Sequence, residues 1–325
     1  MAASLHPDLG AMQGRVGSHD QQRWGLVLAS GEGVRLRPLT RAIVGEECPK
    51  QFCAVLGLET LLERTRRRAA LTIPPARTLV ALTRKHERFY RPLVGGLRPH
   101  CALVQPDDRG TAPAILYGLR RIAALAPTAA VAIMPSDHWV ADDRVFMSHV
   151  ATAFAAVAAR PDLVVLLGIE PERAETEYGW IEPAAPIPGT GLFRVSRFCE
   201  KPMPAVATAL LERGCLWNSF VIVAGVPALL AMIRHAAPAL DGAFATVAPA
   251  LGTPAEPAAV RRLYGRLEAS SFAADVLAGR RSNLAVLPVR GVSWSDWGHP
   301  ARVLSTLTGL GIRPEWADRV TMTAV

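Results

Sequence analysis

The chain has 325 residues, half of them hydrophobic, a composition that supports a sizeable core and excludes a disordered or fibrous protein. It carries 36 Lys plus Arg against 28 Asp plus Glu, a net charge of +8, which suits anionic ligands. The cations are scattered and interleaved with few aromatics, which argues against nucleic acid, and the tight run Arg66-Arg67-Arg68 reads as the solvated face of a helix.

Residues 1–22 hold no apolar stretch of signal-peptide length and are expected to form a disordered tail. Order is expected from Trp24. Trp24 to Ala29 reads as a buried strand, Thr60 to Leu71 as a helix, Thr78 to Leu82 as a strand and Lys85 to Gly95 as a helix. Ala102 to Val104 is strand-like, Ala112 to Leu125 helical, and Ala130 to Met134 a buried strand. Phe146 to Ala159 reads as a helix and Leu163 to Ile169 as the most apolar strand. Strands without alternation, separated by helices, predict a doubly wound, mostly parallel α/β sheet covered on both faces. After Glu170 the texture changes. Trp180 to Glu182 and Phe193 to Phe198 read as antiparallel edge strands, Leu284 to Val289 as a late strand, and Ala301 to Leu310 as a closing helix. The expected division is one domain (23–312), with a first half to about 170 and a second from about 171, followed by a C-terminal tail (313–325). No segment offers about 20 uninterrupted apolar residues, so no membrane span is expected. Cys48, Cys53, Cys101, Cys199 and Cys215 are widely spaced and contain no CxxC pair. That spacing indicates neither a zinc site nor a disulfide framework, and fits reduced thiols in a cytoplasmic protein.

In an open α/β sheet the ligand lies at the carboxyl ends of the strands, so the residues just after each strand matter most. After the first come Ala29-Ser30-Gly31-Glu32-Gly33-Val34-Arg35-Leu36. The glycines let backbone N–H groups approach phosphate oxygens, and Arg35 adds a forked cation, although a plain glycine turn reads the same. Leu36 stands where a dinucleotide fingerprint needs a third Gly, and no Gly-Lys-Ser/Thr is present. Pro49-Lys50-Gln51-Phe52 places a lysine on a Pro-fixed turn near this loop, where it fits a second phosphate ligand, although a lone lysine after a loop is usually solvated. Pro135-Ser136-Asp137-His138 follows a strand. Asp137 there can hold magnesium or cap a helix, and His138 reads as structural. Glu200-Lys201-Pro202 suits sugar hydroxyls and a phosphate, or is a surface ion pair. Trp217-Asn218-Ser219 and Trp294-Ser295-Asp296-Trp297-Gly298 read as packing, with Asp296 a second candidate metal ligand.

Taken together and in this order, these segments resemble the sugar-1-phosphate nucleotidyltransferase family from about Trp24 to Leu310, most closely its mannose-1-phosphate guanylyltransferase branch. The carriers are the loop ending Arg35-Leu36, Pro49 to Phe52, Arg109-Gly110-Thr111-Ala112-Pro113-Ala114, Pro135 to His138, Tyr178-Gly179-Trp180-Ile181, Glu200 to Pro202, Trp217 to Ser219 and Trp294 to Asp296. The chain departs with Ser30 where the family has Gly, Val34 where it has Thr, and Gly110 where the branch has Asn. Ser270 to Asp275 matches the branch's later motif only loosely.

The resemblance implies a nucleotide-diphospho-sugar transferase fold and a reaction of GTP with mannose-1-phosphate, giving GDP-mannose and pyrophosphate with magnesium. Another triphosphate or another sugar- or cyclitol-1-phosphate is the alternative; a catalytically dead, ligand-sensing regulatory relative is a further one, against which the retention of Arg35, Lys50, Asp137, Lys201 and Asp296 argues. By resemblance, Ala29, Ser30, Gly31, Gly33, Arg35 and Lys50 hold the triphosphate, and Gln105, Gly110 and Thr111 the base. Gly179, Glu200 and Asn218 contact the sugar, Lys201 its phosphate, and Asp137 and Asp296 the metal. Arg35, Lys50, Asp137 and Lys201 are the expected catalytic set. The attacking phosphate is already ionised at neutral pH, so the chemistry needs alignment and charge neutralisation rather than a protein nucleophile. A homodimer in the cytoplasm is the expected form.

Overall fold

The computed structural model describes residues 23–279 and 283–317; the expected disordered tail, 1–22, lies outside the described residues. Among the described residues there are eleven strands: β1 (Arg23–Leu28), β2 (Thr78–Thr83), β3 (Ala102–Gln105), β4 (Ala130–Pro135), β5 (Trp139–Val140), β6 (Val164–Ile169), β7 (Gly179–Ile187), β8 (Leu192–Glu200), β9 (Leu216–Gly225), β10 (Leu284–Val289) and β11 (Trp294–Ser295). The α-helices are α1 (Arg37–Val44), α2 (Leu61–Ala69), α3 (Glu87–Tyr90), α4 (Thr111–Leu125), α5 (Asp143–Ala159), α6 (Pro204–Glu212), α7 (Val226–Ala236), α8 (Pro238–Ala245), α9 (Glu256–Tyr264) and α10 (Pro300–Gly309).

Local sequence sets several helix starts. Thr60 and Glu63 form a reciprocal capping box at α2, and the Asp142 carboxylate accepts from Arg144 N and Val145 N at α5. The helix expected over Lys85 to Gly95 shrinks to the single turn of α3, preceded by a 3-10 turn. Pro92 and the Gly95-Gly96 pair cannot extend it.

Nine strands form one sheet in the order β3-β2-β1-β4-β9-β6-β10-β8-β7. β1 runs parallel to β2 and β4, and β6 parallel to β10. The α/β class is as expected, with β7 and β8 an antiparallel pair at one edge. Antiparallel pairing also reaches the middle of the sheet: β9 runs antiparallel between β4 and β6. An apolar run buried on both faces carries no signal of its direction, so this strand was not separable from a packing motif in the sequence.

Two apolar layers cover the sheet. One face packs α2, α5, α6 and α10 against Val27, Val165 and Leu167. The other packs α4, α7, α8, α9 and the wide turn Phe272–Leu277 against Leu26, Val164 and Leu166. The alternation of sheet residues between the two layers is the strand period of two, with both faces covered. The packed chain runs past Ile312, where the tail was expected to begin: Trp316 is buried and donates its indole N–H to Val55 O at 3.1 Å. Among the described residues no helix is long and apolar enough to cross a membrane.

All five cysteines are free, and only Cys199 is not fully buried. Burial pushes the Cys48 and Cys53 thiols up to about 12, far from the thiolate that reacts. The native protein at pH 8 is therefore expected to release about one equivalent of chromophore from Ellman's reagent, from Cys199, and five after denaturation. Rapid reaction of three or more thiols in the native state would show that this packing opens.

Candidate active site

The rim formed by the carboxyl ends of β1 and β4 gathers most of the singled-out residues. Ser30, Gly31, Gly33, Arg35, Gly110, Thr111, Asp137, Gly179, Glu200, Lys201, Asn218 and Asp296 all line one cavity of about 380 Å³. Strand order sets their arrangement. The loop after β1 lies on one side, Asp137 follows the neighbouring β4, and Asn218 opens β9 on the far side of β4. Because β9 is antiparallel, its beginning meets the carboxyl end of β6, with Asn218 opposite Gly168. Gly179 and Glu200 face each other where β7 begins and β8 ends. A larger cavity, about 610 Å³, shares Glu177, Tyr178 and Trp294 but touches neither the glycine loop nor Asp137 nor Lys201.

The glycine loop is held from behind. Gln51, 2% exposed, donates its amide to Ala29 O at 3.1 Å and to Gly31 O at 2.8 Å. Thr83 Oγ1 donates to Ser30 O at 3.1 Å. Three successive carbonyls are thereby turned away from the cavity. The Ala29 N–H is taken by Ala81 O at 2.9 Å, so Ala29 supports the loop and offers no amide to a phosphate. The amides offered begin at Ser30.

Asp137 and Asp296 are brought together by a small antiparallel ribbon in which Trp294 pairs with Val140 and Ser295 with Trp139. Lys50 locks the ribbon's two ends. Its ammonium lies 3.1 Å from Asp137 Oδ2 and donates to Asp296 O at 2.5 Å and Trp297 O at 3.1 Å. All three of its hydrogens are used within the protein, and the side chain is buried. Lys50 therefore holds the two carboxylate loops in register, where the sequence had placed it on a phosphate.

Helix α2 fixes the Asp137 turn from the other side. Thr65 Oγ1 donates to Ser136 O at 3.0 Å, and Arg68 reaches His138 O at 3.4 Å and Asp143 Oδ1 at 2.6 Å. Arg68 is thus buried, not on a solvated face. Its spacing from Leu61 and Thr65 puts it on the inward stripe of the helix, a signal the run of three arginines masks. Burial pushes the His138 imidazole down to about 4, and its ring packs edge-on to Trp294 at 5.1 Å. It is a neutral packing group at physiological pH, as its sequence reading anticipated.

Burial raises the Asp296 carboxyl, but His138, Lys50 and Arg302 outweigh it and hold the group below the usual carboxylate range. Gly298 N and Arg302 Nη1 both bond Oδ1, at 2.8 and 2.7 Å. Oδ2 has no hydrogen-bond partner among the described residues. No cluster of three or more His, Cys, Asp or Glu gathers in metal-holding geometry among the described residues. Two carboxylates with oxygens open to the cavity suit a hard cation that keeps waters and shares substrate phosphates, which is how magnesium is held.

On the opposite wall, Gly179 has no room for a side chain. A Cβ there would lie 2.7 Å from Glu200 Oε2. The walls around Glu200 desolvate it and raise its carboxyl, against the pull of Lys201. Lys201 adopts φ 45° and has no carboxylate within salt-bridge distance among the described residues. Asn218 Oδ1 accepts from Phe220 N at 3.1 Å, which fixes the amide with its NH₂ still available.

Gln105 does not line the cavity. It is fully buried and its Oε1 accepts from Tyr264 Oη at 2.8 Å. Gly110 and Thr111 do line it, zipped to the segment at Ser270. Ala112 N donates to Ser270 O at 3.1 Å and Phe272 N to Thr111 Oγ1 at 2.8 Å. Gly110 has φ 86° and ψ −177°, and a Cβ there would sit 2.4 Å from Ser270 O. The departure from Asn at this position is therefore a packing requirement of the Ser270 segment. Asp108 and Phe220 also line the cavity; neither carried a sequence signal.

The Nucleotidyl transferase family matches residues 24–243, and the chain belongs to it. The Xanthan biosynthesis protein XanB of Xanthomonas campestris pv. campestris (strain B100) is 34% identical over 220 residues, 67% of this chain and 45% of that protein. A mannose-1-phosphate guanylyltransferase of Sinorhizobium fredii (strain NBRC 101917 / NGR234) is 30% identical over 280 residues, 84% of this chain and 52% of that protein. The chain thus spans about half the length of these curated relatives. Among solved structures, one named mannose-1-phosphate geranyltransferase, from Thermus thermophilus, matches with a TM-score of 0.75 at 31% identity, covering 87% of this chain and 79% of that one. A UDP-glucose pyrophosphorylase complexed with UDP-glucose, 14% identical over 89% of this chain and 98% of that one, with a TM-score of 0.54, shares the fold.

Gln51→Leu keeps the shape of the side chain but leaves the Ala29 and Gly31 carbonyls without their donor. It is expected to lower unfolding free energy by about 1–3 kcal/mol in urea titrations. A cost below about 0.5 kcal/mol would show that the glycine loop holds itself.

Proposed function

We propose that the protein transfers a nucleotidyl group from a nucleoside triphosphate to a sugar-1-phosphate and releases pyrophosphate, with GTP and mannose-1-phosphate as the leading pair. The observation that carries this reading is the order of groups along the cavity. Strand order puts the glycine loop with Arg35 after β1, Asp137 after the neighbouring β4 with Asp296 on the ribbon that pairs beside it, and Asn218, Glu200 and Lys201 on β9 and at the end of β8 beyond. A triphosphate fits the first and a phosphorylated sugar the last, with their reacting ends meeting at Asp137 and Asp296. The name of the Sinorhizobium fredii relative, a mannose-1-phosphate guanylyltransferase, favours the same substrates.

In this reading the free amides from Ser30 onward and the Arg35 guanidinium bind the triphosphate. Glu200 and Asn218 orient the sugar, and Lys201 holds its phosphate. A phosphate oxygen of the acceptor forms a bond to the α-phosphorus. The bond from that phosphorus to the bridging oxygen breaks, and its electron pair leaves with pyrophosphate. Magnesium, held by Asp137 and Asp296, supplies charge neutralisation when bound. No side chain need take a proton, which agrees with a neutral, buried His138.

The test is pyrophosphate release across four triphosphates and several sugar-1-phosphates, with and without magnesium. Turnover is expected to be highest with GTP and mannose-1-phosphate, and a preference for another pair would move the specificity without moving the reaction. Asp137→Asn and Asp296→Asn should each nearly abolish turnover at saturating magnesium. Near-normal rates in both would refute the metal assignment.

Lys201→Ala should lower catalytic efficiency for the sugar phosphate about 10- to 150-fold, the loss of one charge-assisted bond of roughly 1.5–3 kcal/mol. Arg35→Ala should instead weaken the triphosphate, and pyrophosphate in the reverse direction. If Lys201→Ala raised KM for the triphosphate alone, the two sides of the cavity would be wrongly assigned.

A further inference from the structure

Arg302 lies in the first turn of α10, the end of a helix where the macrodipole disfavours a cation. It is nonetheless 12% exposed and ties together three carboxylates. Nη1 bonds Asp296 Oδ1 at 2.7 Å, and Nη2 lies 2.8 Å from Glu177 Oε2 and 3.2 Å from Glu175 Oε1. The guanidinium also lies 4.5 Å from the centre of the Tyr178 ring.

Each of these partners belongs to, or leads into, a different part of the cavity. Glu177 pairs with Arg35 at 3.3 Å, on the triphosphate side. Asp296 is a metal candidate. Tyr178 O accepts the amide of Lys201 at 3.2 Å, on the sugar-phosphate side. The fork of one arginine therefore fastens the 175–178 loop to the 294–298 turn. Together with Gly298 N it occupies Oδ1 of Asp296, leaving Oδ2 open.

We propose that Arg302 is a positioning residue: by bridging Asp296 Oδ1 and Glu177 Oε2 it presents Asp296 Oδ2 to the divalent cation and sets Arg35 in the same frame. This rests on the metal-dependent reading above. A planar fork spans two acceptors at once, and an ammonium, a point donor on a flexible stem, does not hold that geometry. Partners that orient a metal's ligands are worth roughly 10- to 100-fold in metal affinity. Charge alone makes the opposite prediction. A cation beside the site repels a second cation, so neutralising it would tighten metal binding.

The two accounts separate in Mn²⁺ titrations of the whole protein, read by electron paramagnetic resonance without turnover. Arg302→Lys keeps the charge and loses the fork, and is expected to weaken Mn²⁺ binding on the order of tenfold or more. Arg302→Gln is expected to weaken it as well. Glu177→Gln, which leaves the arginine in place and breaks the bridge from its other end, should weaken Mn²⁺ in the same direction and raise KM for the triphosphate more than it lowers kcat. Melting curves recorded alongside show whether each variant is folded, and Glu177→Gln carries the test if an Arg302 variant is not. Wild-type Mn²⁺ affinity in Arg302→Lys, or tighter binding in Arg302→Gln, overturns the proposal while leaving the functional reading intact. A wild-type protein that binds no Mn²⁺, with or without triphosphate, overturns both.

Discussion

One buried ammonium sets the geometry on which the site depends. Lys50 touches the Asp137 carboxylate and the carbonyls of Asp296 and Trp297, groups from two loops far apart in the chain. A buried charge left unpaired is costly, so these three acceptors and the lysine require one another. The arrangement converts the register of a short ribbon, β5 with β11, into a fixed relation between two carboxylates. Each carboxylate has a cation beside it, Lys50 at Asp137 and Arg302 at Asp296.

Backbone strain is concentrated in the same place. The non-glycine residues with positive φ among those described are Lys201, Phe220 and Trp297. Lys201 and Phe220 line the cavity, and Trp297 supplies a carbonyl to Lys50. Phe220 owes its conformation to an irregularity in β9, where the pairing with β6 slips between Leu166 and Gly168. Ser219 bridges the slip by donating to Leu167 O at 2.6 Å and accepting from Val221 N at 3.1 Å. Such conformations cost energy and persist where the surroundings dictate them.

Much of this was legible in the sequence, and the limits were physical. Strands β1, β2, β4, β6 and β10 announced themselves as short apolar runs, and position after a strand selected Asp137, Glu200 and the Ser30 to Arg35 loop. Side chains whose role is to hold other groups were harder to read. Gln51 and Thr65 look like ordinary polar residues until the carbonyls they satisfy are known. Lys50 was found by its motif but assigned to a phosphate, because a sequence shows a charge without showing how many partners it already has. Gln105 was misplaced for a related reason: whether a strand's last residue faces the cavity or the core depends on a partner, Tyr264, that lies 159 residues away. Arg302 sits in a helix read only as the closing element, since its partners come from two loops elsewhere in the chain.

The order of strands in space also fixes an order in time. β6 pairs on one side with β9 and on the other with β10, which ends at Val289. As the chain leaves the ribosome, one full edge of the most apolar strand therefore has no partner until residues 284–289 have been made. An unpaired apolar edge is a template for intermolecular pairing. The architecture that places Asn218 and Asp296 on one rim thus leaves a nascent chain that needs β10 before that edge is covered.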